Sequence, residues 1–183
     1  VIFSAEKFQI SAFPVEHRGS SSLGYVFEEF SHRPFMADVA EELNIPPGPW
    51  RKDLVQGKTI TLQDGRVISP DMVLGETRPG TKLVVVGDVG KPFKLIDYLR
   101  DADAIVTEAT YLTEEAEMAQ QFGHSTAEQS ALLAKAAGAK MLILNHVSRR
   151  YRDEAILAEA QAVFPNTYLA ADFDSFQIKA DHD

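Results

Sequence analysis

Three short, unbroken apolar runs constrain this chain more than any other feature: residues 82–86, 104–106 and 141–144. Runs without polar alternation suit strands buried on both faces, as in a parallel sheet covered by helices. The helical stretches between them supply the crossovers that parallel pairing needs. Each run stops at an ionisable residue, in Gly87-Asp88, Thr107-Glu108 and Asn145-His146. A polar loop with three donors, Arg149, Arg150 and Tyr151, follows the last of them. Open α/β sheets place their sites beyond the carboxyl ends of their strands. Any one such end reads most simply as a solvated strand end. Three ends, each releasing one ionisable side chain, describe a site better than a core.

The opening of the chain makes the sheet mixed. Residues 7–13 alternate, Phe8, Ile10 and Ala12 against Lys7, Gln9 and Ser11, which predicts an antiparallel strand. A polar loop carrying His17, with a Gly-Ser run at 19–22, leads to a second strand starting near Gly24. From about 31 to 72 the composition changes. A short helix over 37–43 is followed by Ile45-Pro46-Pro47-Gly48-Pro49-Trp50, a stiff proline-set turn, and then by Arg51 and Lys52. A hairpin over 59–62 and 66–68 surrounds Asp64-Gly65, which predicts a type I′ turn. Few apolar residues lie in this segment for its length, so it reads as a protruding arm inserted in the domain. Trp50 is the only tryptophan, and pinning a small core of the arm's own is one reading of it.

Strand and helix then alternate. A helix is predicted over 94–99, an acidic one over 113–121 and another over 154–163, with a last strand over 167–169. Between them a helix opens at Gly123-His124-Ser125-Thr126 with two capping signatures, Ser125-x-x-Glu128 and Thr126-x-x-Gln129, and closes at Gly138. The class is α/β, with a mixed sheet and helices.

At 183 residues and 45% hydrophobic, the chain can bury one real core and is short for two. A charge of −9 argues against a generic nucleic-acid coat or a binder of anionic membranes. It leaves room for nucleic acid held by a local basic loop beside metal ions. With no cysteine there is no disulfide and no thiolate ligand, so any metal rests on imidazole and carboxylate. No run approaches the ~18 apolar residues of a span, so no membrane partner is expected. The first residues do not read as a signal peptide, and the chain opens on Val1 rather than on an initiator methionine.

Five polar residues end strands or sit in helix-opening loops: His17, Asp88, Glu108, His124 and His146. Two imidazoles and a carboxylate form a good but incomplete set for zinc or another borderline divalent ion. Glu108 and His124 have the types needed for an orienting carboxylate and a general acid, although a histidine at His124's position is also an ordinary helix-cap neighbour.

Taken in order, the motifs resemble the ribonuclease Z family of the metallo-β-lactamase superfamily. They are Val15-Glu16-His17-Arg18, Gly24-Tyr25, Ile45-Pro46-Pro47-Gly48-Pro49, Gly87-Asp88, Thr107-Glu108-Ala109-Thr110, Gly123-His124-Ser125-Thr126, and Asn145-His146-Val147-Ser148-Arg149-Arg150-Tyr151. The resemblance covers essentially the whole chain. It implies a cytoplasmic, zinc-dependent endoribonuclease that removes 3′ trailers from tRNA precursors by phosphodiester hydrolysis. His17 would bind one zinc, Asp88 would bridge two and His146 would bind the other. Glu108 and His124 would form a relay that protonates the leaving 3′ oxygen. The arm would grip tRNA through Pro46, Pro47, Gly48, Pro49, Arg51 and Lys52, with Arg149, Arg150 and Tyr151 near the site.

Some of the family's pattern is missing. The His-x-His-x-Asp-His motif is absent, and with it three histidines and an aspartate. Val89, Thr107 and Asn145 stand where the family usually has Thr, His and Thr. The superfamily's αββα sandwich has two similar halves, and this chain looks like the second, carboxy-terminal one plus the arm. The missing half would come from further residues or from a homodimer partner. By itself the chain is expected to be incomplete or inactive, with zinc absent or partial. Two other readings share these residues: a phosphodiesterase or arylsulfatase-like relative, and a non-catalytic RNA-binding fragment.

Overall fold

The computed structural model describes residues 1–179. Nine strands are present among them: β1 Phe3–Ser4, β2 Phe8–His17, β3 Ser20–Glu29, β4 Ile60–Thr61, β5 Val67–Ile68, β6 Lys82–Val85, β7 Ala104–Glu108, β8 Leu142–Asn145 and β9 Thr167–Leu169. The α-helices are α1 Ala37–Glu42, α2 Pro49–Val55, α3 Ile96–Leu99, α4 Ala116–Phe122, α5 Ala127–Ala136 and α6 Asp153–Val163. The chain divides into two compact units, Val1–Phe30 with the segment from Thr81 onward, and Ser31–Gly80.

The first unit is built on a seven-stranded sheet in the order β1-β2-β3-β6-β7-β8-β9. Pairing is antiparallel from β1 to β6 and parallel from β6 to β9. The parallel half follows the three apolar runs, so the ends carrying Asp88, Glu108 and His146 lie at one edge. β8 is buried on both faces, as its unbroken run predicts, with Leu142, Ile143 and Leu144 all at 4% exposure or less. β6 buries only Val84, because helices cover one face of the sheet here. On that face Phe13, Val15, Val26, Val84, Ile105 and Leu142 pack with Leu99, Leu133, Ile156 and Ala160. The opposite face carries Ile10, Tyr25, Phe27, Leu83, Val85, Val106 and Tyr168, all half-buried or exposed.

His17 is the last residue of a ten-residue strand rather than a residue of a polar loop. The hairpin turn is only Arg18-Gly19, both at positive φ (45° and 75°), the backbone that two-residue hairpins favour. Pro14 sits inside β2 beyond the part that β1 pairs with, where a missing N–H is tolerated on an outer strand.

The second unit has a small core of its own, but Trp50 does not pin it. Ala40, Ile45, Leu54, Ile60, Leu62, Ile68 and Val73 form a buried cluster of their own. Trp50 is not in it and is 38% exposed. The proline turn leads directly into α2, with Gly48 as N-cap and Pro49 at N1, a position where proline's fixed φ suits a helix start. The β4–β5 hairpin also differs from the type I′ expectation. Gly65 N–H bonds the Leu62 carbonyl (3.0 Å) and Gly65 alone is left-handed, at φ 84°, so the turn runs through Gln63-Asp64 and ends in a glycine bulge.

Candidate metal centre

The elements of the first unit deliver five side chains to the carboxyl edge of its sheet. His17 arrives from the end of β2, and its ring is fixed by Nδ1–H donating to the Gly123 carbonyl at 2.8 Å. Gly123 has φ 75°, and a Cβ there would lie 2.5 Å from Arg18 Cγ and 3.3 Å from His17 Nδ1. Only glycine fits on both counts. Asp88 sits in the loop after β6, beside a residue held from both sides. The Val89 N–H donates to Glu108 Oε1 (2.7 Å), and the Val89 carbonyl accepts from Ser125 Oγ (2.8 Å). His146 leaves β8 in a left-handed backbone conformation, φ 51°, uncommon for any residue but glycine.

The two oxygens of Asp88 face different imidazoles. Oδ2 lies 4.0 Å from His17 Nε2, and Oδ1 lies 3.6 Å from His146 Nε2. These separations exceed a hydrogen bond. Two ligand bonds of ~2 Å meeting at a tetrahedral ion span about 3.3 Å, so the 3.6 Å gap is close to that of a cation shared by imidazole and carboxylate, and the 4.0 Å gap reaches it after a small shift of the side chains. With Nδ1 on Gly123, Nε2 is the nitrogen of His17 that faces Asp88. His17, Asp88 and His146 are thus imidazole and carboxylate donors of the types that would hold a borderline divalent ion, as an incomplete set.

Beside them, Glu108 at the end of β7 is fully buried, two residues further along its strand than the apolar run suggests. His124 Nδ1–H donates to its carboxylate, 3.1 Å from both oxygens. The other nitrogen of His124 is left for the site. The rings of His17 and His146 lie 5.0 and 5.4 Å from that of His124. Ligand atoms of His17, Asp88 and His124 all lie within 4.8 Å of one another, so His124 is placed to compete with His146 as a ligand. A cleft of about 460 Å³ opens on His124 and is lined by Lys91, Phe93 and Gln120 among others. Glu16, next to His17, bonds Lys91 and Lys94, and these ammonium groups pull its carboxyl down to about 2. The same contact raises Lys91.

The remaining candidates divide between the units. Arg150 is held by Glu115 at 3.1 Å, and the Tyr151 hydroxyl donates to the same carboxylate, while Arg149 is exposed. In the second unit Pro46, Pro47, Gly48, Pro49 and Lys52 are exposed. Arg51 turns inward, donating to the Ile45 carbonyl at 2.8 Å with its guanidinium 5.6 Å from the Phe35 ring. The sequence does not single out Thr110, Ser125 or the Gly123 carbonyl as parts of the site. Ser125 reads as a cap, but Thr126 and Gln129 make the capping box of α5. The only signal for Ser125 and Thr110 is their place beside His124 and Glu108.

No family model matches the chain. Ribonuclease Z of Bradyrhizobium diazoefficiens is 44% identical over 177 residues, 97% of this chain and 59% of that protein. The chain thus spans about three fifths of the length of the curated relatives it matches. Two solved structures share its fold. The metallo-β-lactamase fold protein YhfI of Bacillus subtilis superposes with a TM-score of 0.57 at 16% identity, over 92% of this chain and 48% of that one. Human tRNase Z, short form, superposes with a TM-score of 0.55 at 22% identity, over 98% and 46%. Along nearly all of its length this chain is a homologue of ribonuclease Z, with a metallo-β-lactamase type of fold.

Proposed function

We propose that the chain carries the second half of the site of an endoribonuclease that cuts 3′ trailers from tRNA precursors, with zinc as the ion. The observation that carries this reading is the Asp88 carboxylate, offering one oxygen to each of two imidazoles beside a buried carboxylate–imidazole pair. A pair of divalent ions supplies Lewis acidity to a phosphodiester and lowers the pKa of water for attack on phosphorus. The chain's own residues do the rest. Asp88, His17 and His146 hold the ions. Glu108 holds His124 by Nδ1–H, so that Nε2–H faces the reacting group. As the bond from phosphorus to the 3′ oxygen breaks, His124 gives that oxygen its proton. Lys91 and Phe93 line the cleft that opens on His124. The unit Ser31–Gly80 presents its exposed Pro46–Pro49 turn, Trp50 and Lys52 to the tRNA.

Three ligands fall short of the four that close one zinc site, so the remaining ones come from elsewhere. The half-exposed apolar face around Phe27, Leu83, Val106 and Tyr168 supports a second layer lying on the sheet, as in the αββα sandwich. That layer belongs to the rest of the same polypeptide or to a homodimer partner, and the protein works in the cytoplasm. No helix among the described residues is long and apolar enough to cross a membrane. The test is made on the natural full-length protein with a tRNA precursor. His124→Ala is expected to lower kcat by ~10²–10⁴ with zinc content retained. His146→Ala is expected to lose zinc and activity together. Loss of zinc from His124→Ala would make His124 a ligand and end the proton-donor role.

A further inference from the structure

The hydroxyl of Thr110 sits where Glu108, His124 and the backbone of His146 meet. Its Oγ1 lies 2.9 Å from the His146 carbonyl and 3.4 Å from His124 Nδ1, and it also donates to Glu108 Oε2. The side chain is buried, at 9% exposure. One hydroxyl proton is thus shared between a buried carboxylate and the backbone of a residue with left-handed φ. That backbone is disfavoured for an L-residue by Cβ crowding and persists only when neighbours over-determine it. The main chain contributes two further ties between the loops after β7 and β8: Ala109 N–H to the Asn145 carbonyl (3.0 Å) and Ser148 N–H to the Thr110 carbonyl (3.2 Å). Both bracket His146, but neither touches it.

We propose that Thr110 is a positioning residue for metal binding, its hydroxyl holding His146 in the backbone conformation that aims Nε2 at Asp88. The inference rests on the two-ion reading above. It adds that the ligand and the proton-donating pair share one support: the oxygen that fixes the His146 carbonyl also contacts the Glu108 carboxylate. Glu108 Oε1 in turn accepts from the Val89 N–H beside Asp88, so Glu108 and Thr110 together tie Asp88, His124 and His146 to one point. Residues that orient metal ligands from outside typically account for 10–100-fold in metal affinity.

The experiment uses the natural full-length protein and zinc alone as probe, titrated in competition with a chelator. Thr110→Val keeps the branched shape and both main-chain ties while removing the hydroxyl. It is expected to weaken zinc binding 10–100-fold. Thr110→Ser, which restores the hydroxyl without the methyl, is expected to recover most of it. A Thr110→Val protein that binds zinc like the wild type overturns the inference and leaves the two-ion reading standing. Equal losses in the Val and Ser variants also overturn it, because packing rather than the hydroxyl would then be responsible. A wild-type protein that takes up no zinc overturns the two-ion reading and this inference with it. If Thr110→Val fails to fold, the serine and asparagine variants decide, since only serine keeps a hydroxyl in place.

Discussion

Thr107 and Glu108 are consecutive residues of β7, both fully buried, and only one of them is satisfied. The Glu108 carboxylate accepts from Val89 N–H, from the Thr110 hydroxyl and from His124 Nδ1–H. Thr107 Oγ1 finds no hydrogen-bond partner among the described residues. A buried hydroxyl without a partner costs about 1–3 kcal/mol of desolvation, and valine has nearly the same shape. Thr107→Val is therefore expected to stabilise the protein by about 1 kcal/mol, a rise of ~2–4 °C in Tm by thermal unfolding. A fall in Tm would show that the hydroxyl has a partner in solution. At this scale the sequence shows which residue types end the strands, and so shows His17, Asp88, Glu108, His124 and His146 as candidates. Residue types and spacing do not show which of them face one another; only the family resemblance sets Asp88 between His17 and His146 and pairs Glu108 with His124. The split of the Asp88 carboxylate between two imidazoles depends on the loop after β6 meeting the ends of β2 and β8, and no spacing along the chain encodes that.

Among elements, continuous patterns are legible in the sequence and dispersed ones are not. The runs over 104–106 and 141–144 are apolar without interruption, and β7 and β8 follow them in parallel. The core of the second unit comes from Ala40, Ile45, Leu54, Ile60, Leu62, Ile68 and Val73, single residues on short elements, so no window of sequence looks like a core. The β2–β3 hairpin hides its length because Pro14 reads as a strand breaker, although an outer strand tolerates it. The end of that hairpin is tied down by Glu16, whose carboxyl Lys91 and Lys94 pull from its ordinary 4.5 to about 2. A carboxyl lowered on folding stabilises the protein above its unfolded pKa, and the contribution is lost as pH falls through the folded one. The Tm difference between wild type and Glu16→Gln is therefore expected to be constant above pH 5 and to vanish between about 4.5 and 2. A difference that grows toward acid would reverse the sign and exclude this account.

For the whole molecule, the sheet has one face under helices and an opposite face of half-exposed apolar side chains around β3, β6 and β9, and the candidate metal centre has an incomplete ligand set at its edge. Both are explained if the working protein lays a second sheet on the open face and brings further ligands to the same edge. The Ser31–Gly80 unit has its own core, so removing it is expected to leave the first unit folded. In the full-length protein that deletion is expected to weaken tRNA binding while sparing cleavage of a small phosphodiester. Binding of tRNA by the intact protein should also fall with salt, by roughly 0.7–0.9 log units per log unit of salt for each phosphate contacted. Equal tRNA affinity with and without the unit would remove its substrate role. The most direct test of the central claim is anomalous diffraction at the zinc edge from crystals of the full-length protein. Two zinc peaks are expected, one on each side of the Asp88 carboxylate, the first at His17 Nε2 and the second at His146 Nε2, with none at His124. A single peak away from Asp88, or one on His124 Nε2, would contradict it.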